Sequence, residues 1–216
     1  EAAEESLRIA VRLRQNYEEA RSALIFLLSA SQRPSPDVLR EETLAFGRLV
    51  TGKAQPPYHH WPMTRSPRVL RIGFVSGDFK NHPVGYFLEA FCHCIDTSRV
   101  ELVAFPTINE ADDLTGRLRP SFKKWIPIEG VDDATASHMI HREGIHILID
   151  LAGHTSHHRL AVFGYKPAPV QVSWLGFWAS TGVEQIDILL GDPVVTPEED
   201  DVCYLERIWR LPETRF

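Results

Sequence analysis

The sequence predicts an α/β fold, a parallel Rossmann-like sheet preceded by an α-helical segment, on three observations. From residue 69 onward, short β-branched runs alternate with stretches of helical periodicity. The runs, of which IHILID (145–150) is the clearest, are apolar on both faces, as strands covered by helices on two sides must be. The 216 residues, 44% hydrophobic and 24% charged, supply enough apolar material for one large core or two small ones.

Leu7, Val11, Leu13, Tyr17, Ala20, Leu24, Leu27 and Leu28 recur near a 3.6-residue period and predict one helix over 6–30. The segment NYEEARSALIFLL, followed by Pro34, is similar to the second helix of a tetratricopeptide repeat, with Ala20 and Leu24 at its small and large packing positions. An ordinary amphipathic helix fits the same residues. Ser35 suits the N-cap of a second helix with Pro36 in its first turn, running to about Val50 and ended by Gly52. Residues 51–68 hold four prolines and no periodicity, which places a boundary between a helical segment, 1–60, and a main domain, 61–216. Beyond it, strands are expected at 69–75, 100–105, 125–128, 145–150, 170–174, 186–190 and 208–211. Helices are expected at 84–95, 113–122, 132–142, 157–163 and 197–204.

The formal net charge is -6, and all of it falls in residues 61–216, because residues 1–60 carry eight acidic and eight basic side chains. Nucleic-acid and anionic-membrane binders need a basic face, so neither partner is expected. The longest apolar run, near 23–30, is far short of a membrane span, and no secretory signal pattern occurs. Three cysteines without a CxxC fit a reducing compartment, and a cytoplasmic location is expected. The turn after the first strand reads SGDFKNHPVG rather than GxGxxG, and no Walker A sequence occurs, which disfavours a dinucleotide enzyme or a P-loop NTPase.

In open α/β sheets, ligands collect beyond the carboxyl ends of the strands. His82 lies before Pro83 at the start of a helix, whose positive dipole end favours a neutral imidazole able to accept a proton or bond a hydroxyl. A His before Pro also simply caps a turn. Asp150, at a strand end, can hold a sugar hydroxyl or a histidine, or cap the loop that follows. Trp174 and Trp178 flank WLGFWASTG, where Gly176 and Gly182 permit close backbone approach and the indoles can stack on a sugar or pack in the core. His138 and His141 share a helix face, and His146, His154, His157 and His158 add imidazoles. No HExxH is present, so a metal site is not expected, although a metal-dependent hydrolase built on this cluster is one alternative reading.

The motifs GFVSGDFKNHPVG and GIHILIDLAGHTSHHRLAVFGYKPAPVQVSWLGFWASTGVEQIDILLGDPVVTPEE resemble the N-terminal half of the catalytic region of the O-GlcNAc transferase family, and its bacterial members in particular. The resemblance runs in order from Arg68 to Pro212, about two thirds of the chain, and the preceding helices are similar to the repeat-to-catalytic junction of that family. It implies one lobe of a GT-B glycosyltransferase that moves N-acetylglucosamine from UDP-GlcNAc to Ser or Thr hydroxyls of a protein or peptide acceptor. The anomeric carbon would be inverted, with no metal and no other cofactor. Both ends of the chain read as cuts, and most donor contacts would come from a C-terminal catalytic lobe of the same protein, so this stretch alone would be incomplete. By resemblance, His82 and His141 are the histidines near the reacting hydroxyl, and which of them acts as base stays open. Pro83, Asp150, Gly153, His154, Thr155, Leu175 and Gly176 would contact substrate. DLAGH, at 150–154, departs from the NMNGY of animal members. A noncatalytic, repeat-linked binding module is the other alternative, from a different class.

Overall fold

The computed structural model describes residues 2–31 and 36–216, so the cap expected at Ser35 lies outside the described residues. Three helices lead, α1 (Ala2–Leu13), α2 (Glu18–Ser29) and α3 (Pro36–Lys53). The sheet region follows as β1 (Leu70–Ser76), α4 (Pro83–Cys94), β2 (Val100–Pro106), α5 (Asp113–Leu118), β3 (Lys124–Trp125), α6 (Asp133–Arg142), β4 (Ile147–Asp150), α7 (Leu160–Gly164), β5 (Val170–Ser173), β6 (Ile188–Gly191) and β7 (Arg207–Arg210). All seven expected strands form, in order, although β3 keeps only two residues. Of the expected helices, 197–204 is a 3-10 turn over Glu198–Cys203, and 157–163 begins only at Leu160.

The strands make one parallel sheet in the order β3-β2-β1-β4-β5-β6-β7. Chain progression reverses between β1 and β4, which pair from Ile72↔Ile147 to Val75↔Asp150. The switch point, where a crevice opens beyond the strand ends, therefore lies between the carboxyl ends of β1 and β4. Strand alternation sends Phe74, Leu102 and Ala104 to the face covered by Val84 and Leu88 of α4 and Leu114 and Leu118 of α5. Val75, Val103, Phe105 and Leu148 go to the other face, with Ala136 and Ile140 of α6 and Val162 and Phe163 of α7.

The leading helices are not an appendage. Ile25 of α2 and Phe46 and Val50 of α3 belong to the same cluster as Val75, Phe105 and Phe163. The single helix expected over 6–30 is two helices broken at 14–17, because Leu7, Ala10 and Val11 pack back against Ala20, Leu24 and Leu28. Leu13 and Tyr17, in phase by periodicity, are left exposed by that turn. Arg21, buried and paired with Glu42, also donates to Gln15 O at 3.5 Å and so ties the turn down. Gly52 does not stop α3, which ends one residue later.

Candidate active site

The loop after β1 is fixed from several sides. Ser76 Oγ accepts from Asp78 N at 2.9 Å, and Thr115 Oγ1 donates to Phe79 O at 2.7 Å. Asp112 accepts from Asn81 N at 2.6 Å while capping α5 at Thr115 N, 3.0 Å away. His82 is the N-cap of α4, as its place before Pro83 requires, and Pro83 is an exposed first-turn residue. His82 Nδ1 accepts from Val84 N over a long 3.3 Å, with Asp78 Oδ2 3.6 Å from the same nitrogen. Asp78 is buried, and burial raises its pKa above the usual carboxylate value, opposed by the nearby charges of His82, Lys80 and His157.

The loop after β4 is organised by Asp150. Fully buried, its carboxylate accepts from Ala152 N at 3.2 Å, Gly153 N at 2.7 Å and Ser173 Oγ at 3.4 Å. Burial still pushes its pKa up to about 6. Asp150 thus shapes the loop and offers no surface to a sugar hydroxyl. Gly153 adopts φ +56°, and a Cβ there would stand 2.2 Å from that of Phe177, so only glycine fits. Thr155 Oγ1 closes the turn on Ala152 O at 2.8 Å.

His154 and His158 turn inward, and the donors and acceptors around them admit one arrangement. Thr181 O can only accept, so His154 Nε2 carries its proton and donates at 2.9 Å. His154 Nδ1 then accepts from the Ser22 hydroxyl at 2.8 Å, and Ser22 Oγ accepts from His158 Nε2 at 2.8 Å. His158 Nδ1 faces Leu160 N at 3.5 Å. Burial lowers the two imidazoles to about 3 and about 4, His154 the further, which keeps both neutral and in this directed chain. Phe46 lies edge-on to His154 at 4.7 Å.

These loops and one face of α2 enclose a cavity of about 650 Å³ at the switch point. Asp78, His82, Thr155 and His157 stand on the sheet side, and Glu19, Ser22, Ala23 and Phe26 on the helix side. Of the residues expected at the site, His82, His154 and Thr155 meet here, and Gly153 supports them. His141 does not. It stacks on Tyr58 with centroids 3.9 Å apart and bonds His60 O at 2.7 Å, near the amino end of β4. Leu175 is buried in the core, and Gly176 rests on the Leu151 carbonyl, where a Cβ would come within 2.0 Å, so both pack beneath the β4 loop rather than line the cavity. Trp174 donates to Arg215 O at 2.7 Å, and Trp178 packs on Phe26 and donates to Ser29 O at 3.2 Å, so both indoles serve packing. His138 Nδ1 bonds Tyr58 OH at 3.2 Å. Among the described residues no three His, Cys, Asp or Glu side chains gather as a metal site.

The sequence reading missed Ser22 and the α2 wall. The only sign was a hydroxyl within the apolar run around SALIF, and it gains meaning only once the two imidazoles are in place. Asp78 lies in the turn SGDFKNHPVG that follows the first strand, and its closeness to His82 is a product of the fold.

Comparison with known proteins then fixes the lineage. A solved structure of a mutant O-GlcNAc transferase from Thermobaculum terrenum superposes with a TM-score of 0.90 at 37% identity, covering 98% of this chain and 41% of that one. The "Probable UDP-N-acetylglucosamine--peptide N-acetylglucosaminyltransferase SPINDLY" of Solanum lycopersicum is 34% identical over 183 residues, 82% of this chain and 20% of its own. A "UDP-N-acetylglucosamine--peptide N-acetylglucosaminyltransferase" of Caenorhabditis elegans is 32% identical over 149 residues, 68% of this chain and 13% of its own. The chain spans about a fifth or less of these two curated relatives. The sheet with its two helical layers matches one lobe of a GT-B glycosyltransferase. The model of "Glycosyl transferase family 41" matches residues 20–216, and the chain belongs to that family.

Proposed function

We propose that this chain is the acceptor-side lobe of an inverting protein O-glycosyltransferase that moves N-acetylglucosamine from UDP-GlcNAc to Ser or Thr hydroxyls. The observation that carries the reading is the Asp78–His82 pair facing a cavity at the switch point, in a family 41 chain. The acceptor hydroxyl attacks the anomeric carbon as the bond to the diphosphate oxygen breaks, and UDP leaves with the electron pair. The hydroxyl proton passes to His82 Nε2 when the imidazole hydrogen sits on Nδ1, turned from Val84 toward the Asp78 carboxylate. Weak capping at 3.3 Å and a carboxylate made more basic by burial both favour that tautomer. The diphosphate would meet cations of a second lobe, since no Lys or Arg among the described residues lines this cavity. Neither a metal nor another cofactor enters this reading. The partners are a protein or peptide acceptor, the UDP-sugar and the C-terminal lobe. No helix among the described residues is long and apolar enough to cross a membrane, which suits the cytoplasmic location that the reading assigns.

The test is transfer from radiolabelled UDP-GlcNAc to Ser/Thr peptides by the full-length protein, with other nucleotide sugars in parallel. Asp78→Asn keeps the shape but removes the charge that orients His82, so kcat should fall by about 10² or more with the donor KM little changed. Label from a different sugar nucleotide, or an Asp78→Asn enzyme as fast as wild type, would overturn this account.

A further inference from the structure

The β4 loop presents a third imidazole that the proton transfer does not use. His157 is exposed at the cavity beside Asp78 and His82, and among the described residues nothing hydrogen-bonds its ring, whereas both nitrogens of His154 and His158 have partners. Its backbone is in the left-handed region, φ +60°, where Cβ crowds the carbonyl and glycine would be unstrained. Three elements hold it there. Thr107 Oγ1 donates to His157 O at 2.8 Å, Thr107 N donates to Ser76 O at 2.9 Å, and Gly77 leaves room for the His157 Cβ, which would stand 2.9 Å from a Cβ on that glycine. A strained, over-determined backbone that delivers an unpartnered ring to a cavity is the mark of a residue kept for a ligand.

The lining says which ligand. Asp78 and Glu19 are the acidic lining, no Lys or Arg among the described residues lines the cavity, the Lys80 ammonium near Asp78 is paired with Glu110, and Phe26 and Ala23 complete the α2 wall. A diphosphate is repelled by such a lining, whereas the neutral amides of a polypeptide are not. We propose that His157 binds the acceptor. Its ring N–H donates to a main-chain carbonyl beside the hydroxyl-bearing residue, which makes it a positioning residue for the transfer. The assignment rests on the proposed function for the identity of the acceptor, but it has its own readout.

The experiment measures anisotropy of fluorescein-labelled peptides carrying one Ser or Thr on the full-length protein, followed by transfer kinetics and thermal unfolding. His157→Gly should unfold at the same or a higher temperature, yet bind peptide roughly three- to tenfold more weakly, the loss of one hydrogen bond. Acceptor KM should rise in step and donor KM stay fixed. His157→Asn, which tolerates the same backbone and keeps a donor, should recover part of the binding. Unchanged peptide affinity in the glycine variant, no peptide binding by wild type, or a rise confined to donor KM would each overturn the assignment. Peptide binding that depends on His157 without any transfer from UDP-GlcNAc would count against the proposed reaction and leave His157 as a peptide contact.

Discussion

Ser22 is a hydroxyl on a helix packed between two imidazoles, and its position makes the lobe acid-sensitive. In the unfolded chain an imidazole takes up its proton near pH 6.5, whereas in the fold His154 and His158 resist until about 3 and about 4. A depressed imidazole contributes its full stability above 6.5 and loses it as the pH falls toward the folded value. From pH 6.5 to 5 each imidazole therefore removes about 2 kcal/mol. Asp150, pushed up to about 6, works in the opposite direction and returns about 1 kcal/mol between pH 6 and 5. The net effect is a loss of roughly 2–3 kcal/mol. Urea unfolding at pH 7 and 5 should show it. In a His154→Phe, Ser22→Ala variant, which removes one imidazole and keeps the opposing Asp150, most of that net pH dependence should disappear, and equal pH dependence in both proteins would refute the assignment to these rings. His157 and Asp78 lie outside the chain of bonds, so the same variant should keep peptide contacts on the sheet side.

At the level of elements, legibility followed how local the cause was. The strands were readable because apolar runs such as VELVAF and ILID need burial on both faces wherever they occur, and in the structure Asp112 and Asp132 cap the starts of α5 and α6. The break between α1 and α2 was not readable. Leu13 and Tyr17 continue the helical period, and only the gain from folding one stripe onto the other decides that the chain turns there. The site divided in the same way. His82 was legible as the cap before Pro83, a local cause, whereas His141 shared a motif with the site but ends against Tyr58 because α6 runs toward the amino end of β4. Leu175 and Gly176 are placed against substrate by the resemblance and Asp150 by its strand end, yet a strand end also has to build its own loop, and here that need takes all three. Asp112 shows how one cap serves both levels, since it starts α5 and also holds Asn81 N beside His82. Asp112→Ala should lower Tm, as the loss of an N-cap does. It should also lower transfer activity more than that loss explains at a temperature where the variant is fully folded, because the loop carrying Asp78 and His82 is freed. A Tm drop with kcat/KM intact would reduce Asp112 to a cap alone.

For the whole molecule, the leading helices and the sheet are held by one core. The proline-rich stretch at 51–68 looks like a boundary in the chain, but α2 and α3 place Ile25, Phe46 and Val50, each at most 1% exposed, against α7 and the loop that follows β5. The same helix α2 supplies one wall of the cavity and the hydroxyl between the imidazoles. Burying three such side chains contributes roughly 5–9 kcal/mol, which is as large as the entire stability of an ordinary domain, about 5–15 kcal/mol. A fragment starting at residue 61 would expose Val162, Phe163 and Phe177 and leave His154 Nδ1 and His158 Nε2 without Ser22. It should therefore fail to reach the cooperative transition of residues 1–216, bind a hydrophobic dye and lose the dispersed methyl resonances of a packed core. If that fragment instead unfolds cooperatively with unchanged stability, the helices are a separate domain laid on a complete lobe. Restoring α2 and α3 should restore stability and cavity together, since the surface that closes the core also closes the site.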